Sequence, residues 1–220
     1  MRRVGLITIG QSPRVDVVSE IKDILGSEIE ILECGALDDL AREQISQLTP
    51  QGDEEFYVTR LRDGSEVRLA VGKIIPLVQG CISKLETYVD VIGLLCTGEF
   101  PAFTSMKPIV EPSSVLINVV RSLNPRKLGI IIPSPGQRDM AYRKWSTITR
   151  DIEIVSVSPY AGKEEELAES AKLLMDRDII VLDCIGYNKR AKKIVAETTN
   201  RPTILPRTIL ARILRELVEV

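Results

Sequence analysis

The sequence predicts an α/β protein of two pseudo-symmetric halves, each a mostly parallel sheet flanked by helices, with a ligand cleft between them. Three observations predict this fold. Short runs rich in Val, Ile and Leu alternate with segments of helical period, which is typical of β-α units that build a parallel sheet. Part of the second half of the chain repeats part of the first. In each repeat a cysteine ends an apolar run, which indicates two equivalent strand ends.

The apolar runs and the helical periods place the individual elements. Strands are predicted near 4–9, 29–34, 91–96, 127–132, 152–157 and 179–184. Helices are predicted over 14–25, 38–47, 73–89, 113–123, 137–149, 188–198 and 207–218. A further helix begins near Lys163 and carries Leu167, Ala171, Leu174 and Met175 on one face. Residues 54–70 are predicted to form an inserted hairpin, because two β-rich runs flank Asp63-Gly64, a dipeptide that favours a two-residue turn.

The internal repeat defines the halves. KPIVEPSSVLINVVRSL at 107–123 aligns with RPTILPRTILARILREL at 201–217, and DVIGLLCTG at 90–98 aligns with DIIVLDCIG at 178–186. RRVGLITIGQSPR at 2–14 resembles RKLGIIIPSPGQR at 126–138. The last helix has no later half to join, so we expect it to return to the first. The predicted halves are 1–110 plus 203–220, with the hairpin insertion at about 54–70, and 111–202.

Composition excludes several classes of function. The net charge is -2 and basic residues are scattered among acidic ones, so we expect no nucleic-acid partner. Without an apolar stretch long enough for a bilayer, we expect no membrane partner and a cytoplasmic location. The chain has no histidine, which excludes Ser-His-Asp and Cys-His catalysis and His-ligated metal sites. We therefore expect neither metal nor cofactor.

The four cysteines show no Cys-x-x-Cys spacing, so the expected state is reduced thiols. Cys34 ends a strand but has no counterpart in the second half, and Cys81 lies on the apolar face of a helix. Both are predicted to be structural. An isolated strand cysteine is ordinarily a small buried hydrophobic residue. The repetition of Cys96 and Cys184 in a chain without histidine favours a working pair instead.

Cys96 and Cys184 are the candidate catalytic residues. Both are predicted at carboxyl ends of parallel strands, where open α/β sheets bind their ligands. One thiolate is suited to removing a proton from a carbon next to a carboxylate, and the opposite thiol to returning one on the other face. The backbone N–H groups of Thr97-Gly98 and Ile185-Gly186 are candidates to hold the substrate carboxylate or its enolate, and such donors also favour thiolate.

Two Ser-Pro pairs supply further candidates. Ser12-Pro13 and Ser134-Pro135 predict helix N-caps followed by proline at the first helical position. The same helix N-termini are suited to anions, so Gln11, Ser12 and Ser134 are candidate substrate-binding residues. Tyr187 is a candidate hydroxyl donor or a packing residue. Arg14 is predicted to lie on the surface or to steer an acidic substrate.

The segments TIGQSPR, LLCTGEFP, IVEPSSVL and LDCIGY, in this order and spacing, resemble the AroM family over essentially the whole chain. More distantly, the duplicated halves resemble the aspartate/glutamate racemase superfamily. That resemblance implies a ligand between the halves, with Cys96 and Cys184 matching the two catalytic thiols. It also implies that Thr97, Gly98, Ile185 and Gly186 match the backbone turns that hold the carboxylate. The sequence departs from the racemases at GQSPR and at Ile185, so an amino-acid substrate is not implied.

These features lead to a hypothesis of function. We expect a cofactor-independent isomerase or racemase that acts on a small carboxylic acid through the two cysteines. The alternatives are a decarboxylase of the same superfamily, a non-enzymatic sensor of a small carboxylate, and a cleft that has lost activity and serves a partner. The expected partner is a small-molecule carboxylate or another anion. A homodimer is left open, as is the identity of the substrate.

Overall fold

The computed structural model describes residues 2–219 and contains two four-stranded parallel sheets. The elements up to the end of the first sheet are, in chain order, β1 (Arg3–Thr8), α1 (Val15–Leu25), β2 (Glu30–Gly35), α2 (Arg42–Ser46), β3 (Phe56–Arg60), β4 (Glu66–Ala70), α3 (Val71–Leu85), β5 (Val91–Leu95) and β6 (Ile109–Val110). The elements that follow are α4 (Pro112–Leu123), β7 (Lys127–Ile132), a 3₁₀ turn (Pro135–Gln137), α5 (Arg138–Trp145), β8 (Asp151–Ser156), α6 (Glu164–Lys172), β9 (Ile179–Leu182), α7 (Lys189–Thr199), β10 (Thr203–Ile204) and α8 (Pro206–Val218).

The two sheets have the same topology. The first has the order β2-β1-β5-β6, and the second, read from the matching edge, has the order β8-β7-β9-β10. Every strand of one sheet therefore has a counterpart in the other, and the predicted fold class is confirmed. The two-residue strands β6 and β10 were absent from the sequence prediction because so short a run carries no periodicity.

Each sheet is covered on both faces, because successive side chains of a strand point to opposite sides. In β1, Leu6 packs towards α8 whereas Ile7 packs towards α3. In β7, Ile130 and Ile131 separate in the same way between two further apolar clusters. Strands buried on both faces need continuous apolar runs, and this explains why the sequence shows runs instead of alternation.

The last helix packs on the first sheet. Leu210, Ala211 and Leu214 of α8 are buried in one cluster with Val4 and Leu6 of β1. Residues 203–204, which the prediction assigned to the first half, instead form β10 and pair with β9 in the second sheet. Residues 1 and 220, also assigned to the first half, lie outside the described residues. The predicted domain division itself stays a prediction.

The hairpin exists, but its turn differs from the prediction. β3 and β4 are antiparallel with Arg60 opposite Glu66, so residues 61–65 connect them instead of two residues. The Asp63 carboxylate accepts hydrogen bonds from the Ser65 N–H at 2.9 Å and hydroxyl at 2.5 Å. Gly64 adopts a φ of +88°. This side-chain-stabilised loop replaces the two-residue turn.

Several helix boundaries also differ. The predicted helix 38–47 shrinks to α2, since the Asp38 side chain is engaged with Ser12 and Gly35. The predicted helix 137–149 starts as a 3₁₀ turn and α5 ends at Trp145. The helix begun near Lys163 ends at Lys172, so Met175 lies beyond it and is 50% exposed. None of the helices described over residues 2–219 is both long and apolar enough to span a bilayer.

Candidate functional site

Cys96 and Cys184 line one pocket of about 60 Å³. Cys96 directly follows β5 and Cys184 lies two residues beyond β9, the equivalent central strands of the two sheets. Both are free thiols and both are buried, at 8% and 5% exposure. The fold therefore brings the two repeated cysteines into the lining of the same cavity.

The backbone around each thiol follows the same pattern. The Gly98 N–H lies 3.3 Å from the Cys96 sulfur, and the Gly186 N–H lies 3.5 Å from the Cys184 sulfur. Thr97 and Ile185, the residues between each thiol and its glycine, line the pocket, and within residues 2–219 their own N–H groups have no protein acceptor. One free backbone donor therefore accompanies each thiol.

A buried ion pair lies between the thiol loops. The Lys144 ammonium of α5 contacts both carboxylate oxygens of Asp183, at 2.9 and 3.1 Å, and donates to the Thr97 carbonyl at 2.8 Å. The Trp145 indole N–H donates to the same carboxylate at 2.6 Å. Lys144 and Asp183 are 5% and 8% exposed, so each charge depends on the other for compensation.

The hairpin closes one side of the pocket. The Tyr57 ring packs on Gly98, and its hydroxyl donates to the Glu99 carbonyl at 2.6 Å. The hairpin also reaches the second half, where the Gln137 amide donates to the Phe56 carbonyl at 3.0 Å. An ion pair between Arg143 and Glu55 adds a second link. The inserted hairpin thus contributes pocket wall and ties the halves together.

A second tyrosine plays the matching part in the other half. The Tyr160 ring lies against Gly186, and a side-chain hydrogen bond from Tyr160 favours the Cys184 thiolate. The Arg14 guanidinium donates to the Tyr160 hydroxyl at 3.3 Å. Arg14 is 2% exposed and forms a two-point pair with Asp16, so it is not the surface residue that the sequence suggested.

Burial disfavours the thiolate form of both cysteines. Burial raises the pKa of Cys96 to about 12, while the Gly98 N–H and Lys144 act in the opposite direction. Burial raises the pKa of Cys184 to about 11, opposed by the Gly186 N–H, Arg14 and Tyr160. The expected preference for thiolate is therefore outweighed by desolvation at both cysteines.

The other predicted binding residues lie outside this pocket. Ser12 caps no helix, because its N–H and hydroxyl bind the Asp38 carboxylate at 2.7 and 2.5 Å and α1 begins only at Val15. Gln11 bonds to the Leu37 carbonyl and the Arg62 N–H. Neither contributes to the pocket that contains the thiols.

Ser134, Gly186 and Tyr187 are the remaining predicted binding residues, and none of them lines the pocket that contains the thiols. Ser134 precedes the 3₁₀ turn as predicted, but its buried hydroxyl makes no capping bond, and its neighbours Pro133 and Gln137 line the pocket instead. The Tyr187 hydroxyl donates to the Val157 carbonyl at 2.6 Å, which is the packing alternative. Gly186 and Tyr187 line a separate cavity of about 150 Å³.

The expectation of four reduced thiols is wrong for two of them. Cys34 and Cys81 form a disulfide with their Cα atoms 5.7 Å apart. The end of β2 and the middle of α3 pack in one apolar cluster, which brings together residues separated by 47 positions in the chain. Their predicted structural role takes this covalent form.

Sequence reasoning missed the pocket residues Tyr57, Lys144, Tyr160 and Asp183. One signal was present for Asp183, which replaces Leu95 of the first repeat at the end of a buried strand. A charge at such a position needs a buried counterion. No group of three or more His, Cys, Asp or Glu side chains within residues 2–219 is arranged to hold a metal.

Two equivalent parallel halves with a pocket between them form a fold that this chain shares with several solved racemases and isomerases. The maleate cis-trans isomerase of Nocardia farcinica bound to TRIS has a TM-score of 0.65 at 13% identity, covering 100% of this chain and 93% of that one. Allantoin racemase from Klebsiella pneumoniae has a TM-score of 0.63 at 14% identity, covering 99% and 88%. The aspartate racemase of Picrophilus torridus has a TM-score of 0.57 at 13% identity, covering 100% of both chains.

At such identities these similarities show the fold. A search of curated protein sequences found no match. The chain belongs to the AroM family, since the family model described as AroM protein matches residues 4–218.

Proposed function

We propose that this protein is a cofactor-independent isomerase or racemase that moves a proton on a small carboxylic acid between Cys96 and Cys184. The observation that carries the proposal is the paired placement of the thiols. Both line one pocket, and each has a glycine N–H directed at its sulfur. Similarity in fold to racemases, a cis-trans isomerase and a decarboxylase supports this class of chemistry.

The proton balance of the reaction is simple. One cysteine enters as thiolate and takes the proton from the carbon next to the carboxylate, which leaves an enediolate and a thiol. The opposite thiol then gives its proton to the other face of that carbon and becomes the thiolate. The product differs in configuration, and the two cysteines have exchanged protonation states. We assign Cys184 as the first base, because Arg14 and a hydrogen bond from Tyr160 favour its thiolate.

The carboxylate has donors available. The free N–H groups of Thr97 and Ile185 are suited to binding its oxygens and to stabilising the enediolate as charge moves onto them. Removing one such donor typically costs about 10²–10³ in rate. Apolar side chains complete the pocket, among them Leu95, Ile132 and Met140.

The charges of the pocket favour a substrate with a single carboxylate. Lys144 is the only cation among the described lining residues, and Asp183 neutralises it. No surplus positive charge is left for a second carboxylate, which would enter a desolvated site without a counterion. We therefore assign the substrate to the monocarboxylic acids that carry a hydrogen on the neighbouring carbon.

Solvent exchange tests the reaction. The protein is incubated in D₂O with lactate, alanine, 2-phenylpropionate and aspartate, and NMR follows loss of the α-proton signal. Cys96→Ser and Cys184→Ser are each expected to lower exchange by about 10²–10⁴. The double variant Cys34→Ser/Cys81→Ser is the matched control, because it removes the two cysteines outside the pocket. Full exchange by both single pocket variants would refute two-thiol chemistry.

Two further measurements distinguish the isomerase from the decarboxylase and from the sensor. Release of carbon dioxide from a malonate-type acid that depends on only one of the two thiols indicates a decarboxylase. Saturable binding without exchange or bond cleavage indicates a sensor.

The pH profile adds a second check on the base. With a pKa of about 11 for Cys184, the thiolate fraction rises about tenfold per pH unit from 7 towards 10, and kcat/KM is expected to follow. A plateau below pH 8 would assign the base to a different group.

The preference for a single carboxylate is tested by comparing two acids. Butyrate and succinate share a chain length but differ in one carboxylate, and calorimetry compares their binding. The wild type is expected to prefer butyrate. Asp183→Asn keeps an acceptor for Trp145 and leaves Lys144 uncompensated, so succinate affinity is expected to rise by roughly tenfold relative to butyrate. An unchanged ratio would contradict the assignment to monocarboxylic acids.

A further inference from the structure

The peptide unit behind each thiol is held from both ends. The Thr97–Gly98 peptide is trans, so its carbonyl and its N–H point in opposite directions. The carbonyl accepts a hydrogen bond from the Lys144 ammonium at 2.8 Å. The N–H of the same peptide lies 3.3 Å from the Cys96 sulfur. Lys144 therefore acts on Cys96 through one planar group.

The second thiol has the same arrangement with a different cation. The Ile185 carbonyl accepts from Arg207 Nε at 3.1 Å and Nη2 at 2.9 Å. The N–H of that peptide, on Gly186, lies 3.5 Å from the Cys184 sulfur. Arg207 is 1% exposed and also donates to the Gly186 carbonyl at 2.8 Å. Its guanidinium thus fixes the whole turn.

The two cations are exchanged between the halves. Lys144 lies on α5, which belongs with the second sheet, yet it holds the loop after β5 of the first. Arg207 lies on α8, which packs on the first sheet, yet it holds the loop after β9 of the second. The internal repeat does not explain this, because Ser113 occupies the position of Arg207 in the first repeat. Different residues have produced the same contact.

We propose that Lys144 and Arg207 are positioning residues that orient and polarise the peptide behind Cys96 and Cys184, so that its N–H stabilises the thiolate. A cation on the carbonyl strengthens the N–H of the same peptide as a donor, because linked hydrogen bonds polarise one another. The use of this thiolate as a base rests on the proposed function, but its formation does not. Each cation is assigned to one thiol, and this assignment is open to direct measurement.

Alkylation of the two thiols measures thiolate formation without any substrate. The protein is treated with iodoacetamide at pH 8.5, and mass spectrometry of the peptides gives separate rates for Cys96 and Cys184. Below the pKa the rate follows the thiolate fraction, so one pKa unit appears as a tenfold change.

The Lys144 arm uses a charge-balanced variant. Lys144→Met/Asp183→Asn removes the cation from the Thr97 carbonyl without leaving a buried carboxylate unpaired. Cys96 alkylation is expected to slow by about tenfold, whereas Cys184 stays within about threefold of the wild type. Asp183→Asn alone keeps the cation and removes its counterion, so Cys96 is expected to react faster.

Variants of Arg207 test the second assignment, in which the affected thiol is Cys184. Arg207→Gln is expected to slow Cys184 by about tenfold and to leave Cys96 within about threefold. Arg207→Lys keeps a charge near the carbonyl and is expected to restore part of the rate. Arg212→Gln is the matched control, since Arg212 lies on the same helix and its one hydrogen bond within residues 2–219 is to the Thr208 carbonyl.

The direction of the change separates positioning from loosening. A variant that merely loosens the fold exposes both thiols and speeds both reactions, which would overturn the proposal. Equal slowing of both thiols, or no change at either, would also overturn it. If the double variant fails to fold, Arg207→Gln and Arg207→Lys still decide the question through the separate rates of Cys184 and Cys96. The alkylation rates are measured without substrate and do not depend on isomerase activity. Failure of this proposal can therefore be distinguished from failure of the proposed function.

Discussion

Gly98 is the position where one added methyl group is expected to disturb both the fold and the site. A Cβ at this position would lie within 2.6 Å of three carbons of the Tyr57 ring. Ordinary carbon contacts need about 3.5 Å, so the ring has to move by roughly 1 Å. Tyr57 is 5% exposed and its hydroxyl is bound to the Glu99 carbonyl at 2.6 Å, so this movement is resisted.

The cost of Gly98→Ala follows from these contacts. Overpacking a buried site costs about 1–3 kcal/mol, and loss of the Tyr57 hydrogen bond adds about 1 kcal/mol. The free energy of unfolding is therefore expected to fall by about 2–4 kcal/mol. The Gly98 N–H moves with its backbone, so the contact with Cys96 at 3.3 Å is expected to lengthen and proton exchange to slow.

Urea denaturation of Gly98→Ala and Gly80→Ala gives the measurement and its control. Gly80 is exposed in α3, and a Cβ there meets nothing within 4 Å. Gly80→Ala is expected to stabilise the protein by about 0.5–1 kcal/mol through helix propensity. A Gly98→Ala protein within 0.5 kcal/mol of the wild type would show that Tyr57 does not pack on this glycine, and the account of the pocket wall would fail.

Three further predictions concern other parts of the protein. Burial raises the pKa of Cys96 and Cys184 above 9.0, so the free energy of unfolding is expected to fall as pH rises through this value. In urea titrations between pH 8 and 10 the wild type should lose about 2–3 kcal/mol more than the variant Cys96→Ser/Cys184→Ser, and parallel curves would contradict this. The Cys34–Cys81 disulfide spans 47 positions, so reductant should lower the free energy of unfolding by up to about 4 kcal/mol in the wild type but not when both are serine. Trp145→Phe removes a donor to a buried carboxylate and should cost about 1.5–3 kcal/mol by thermal denaturation, with loss smaller than 0.5 kcal/mol counting against that bond.

The internal repeat is the feature of the sequence that determined the predicted architecture. Matching apolar runs and matching Pro-x-x-x-Pro segments indicated two β-α halves, and the two sheets have the same strand order. The equivalence of Cys96 and Cys184 followed from the same alignment. These features are readable because apolar periodicity and strand ends are local properties, expressed within a few residues of the chain.

Helix boundaries and capping roles were predicted less well from the sequence. Ser12-Pro13 has the sequence of a helix start, but the Asp38 carboxylate binds both donors of Ser12, and α1 begins further along. Nothing near Ser12 in the sequence reveals a partner 26 positions away. The same limit applies to Cys34, whose disulfide partner comes from a helix on the covering face of the sheet.

The sequence by itself determined the two halves, the two thiols and the absence of histidine chemistry. Only the tertiary structure decided which groups surround those thiols. Lys144 and Arg207 reach the peptides behind Cys96 and Cys184 from the opposite halves, and Tyr57 reaches Gly98 from an inserted hairpin. These contacts join residues far apart in the chain and differ between the repeats, so no local pattern encodes them. They arise from the docking of the two halves, which is also what buries the thiols and raises their pKa.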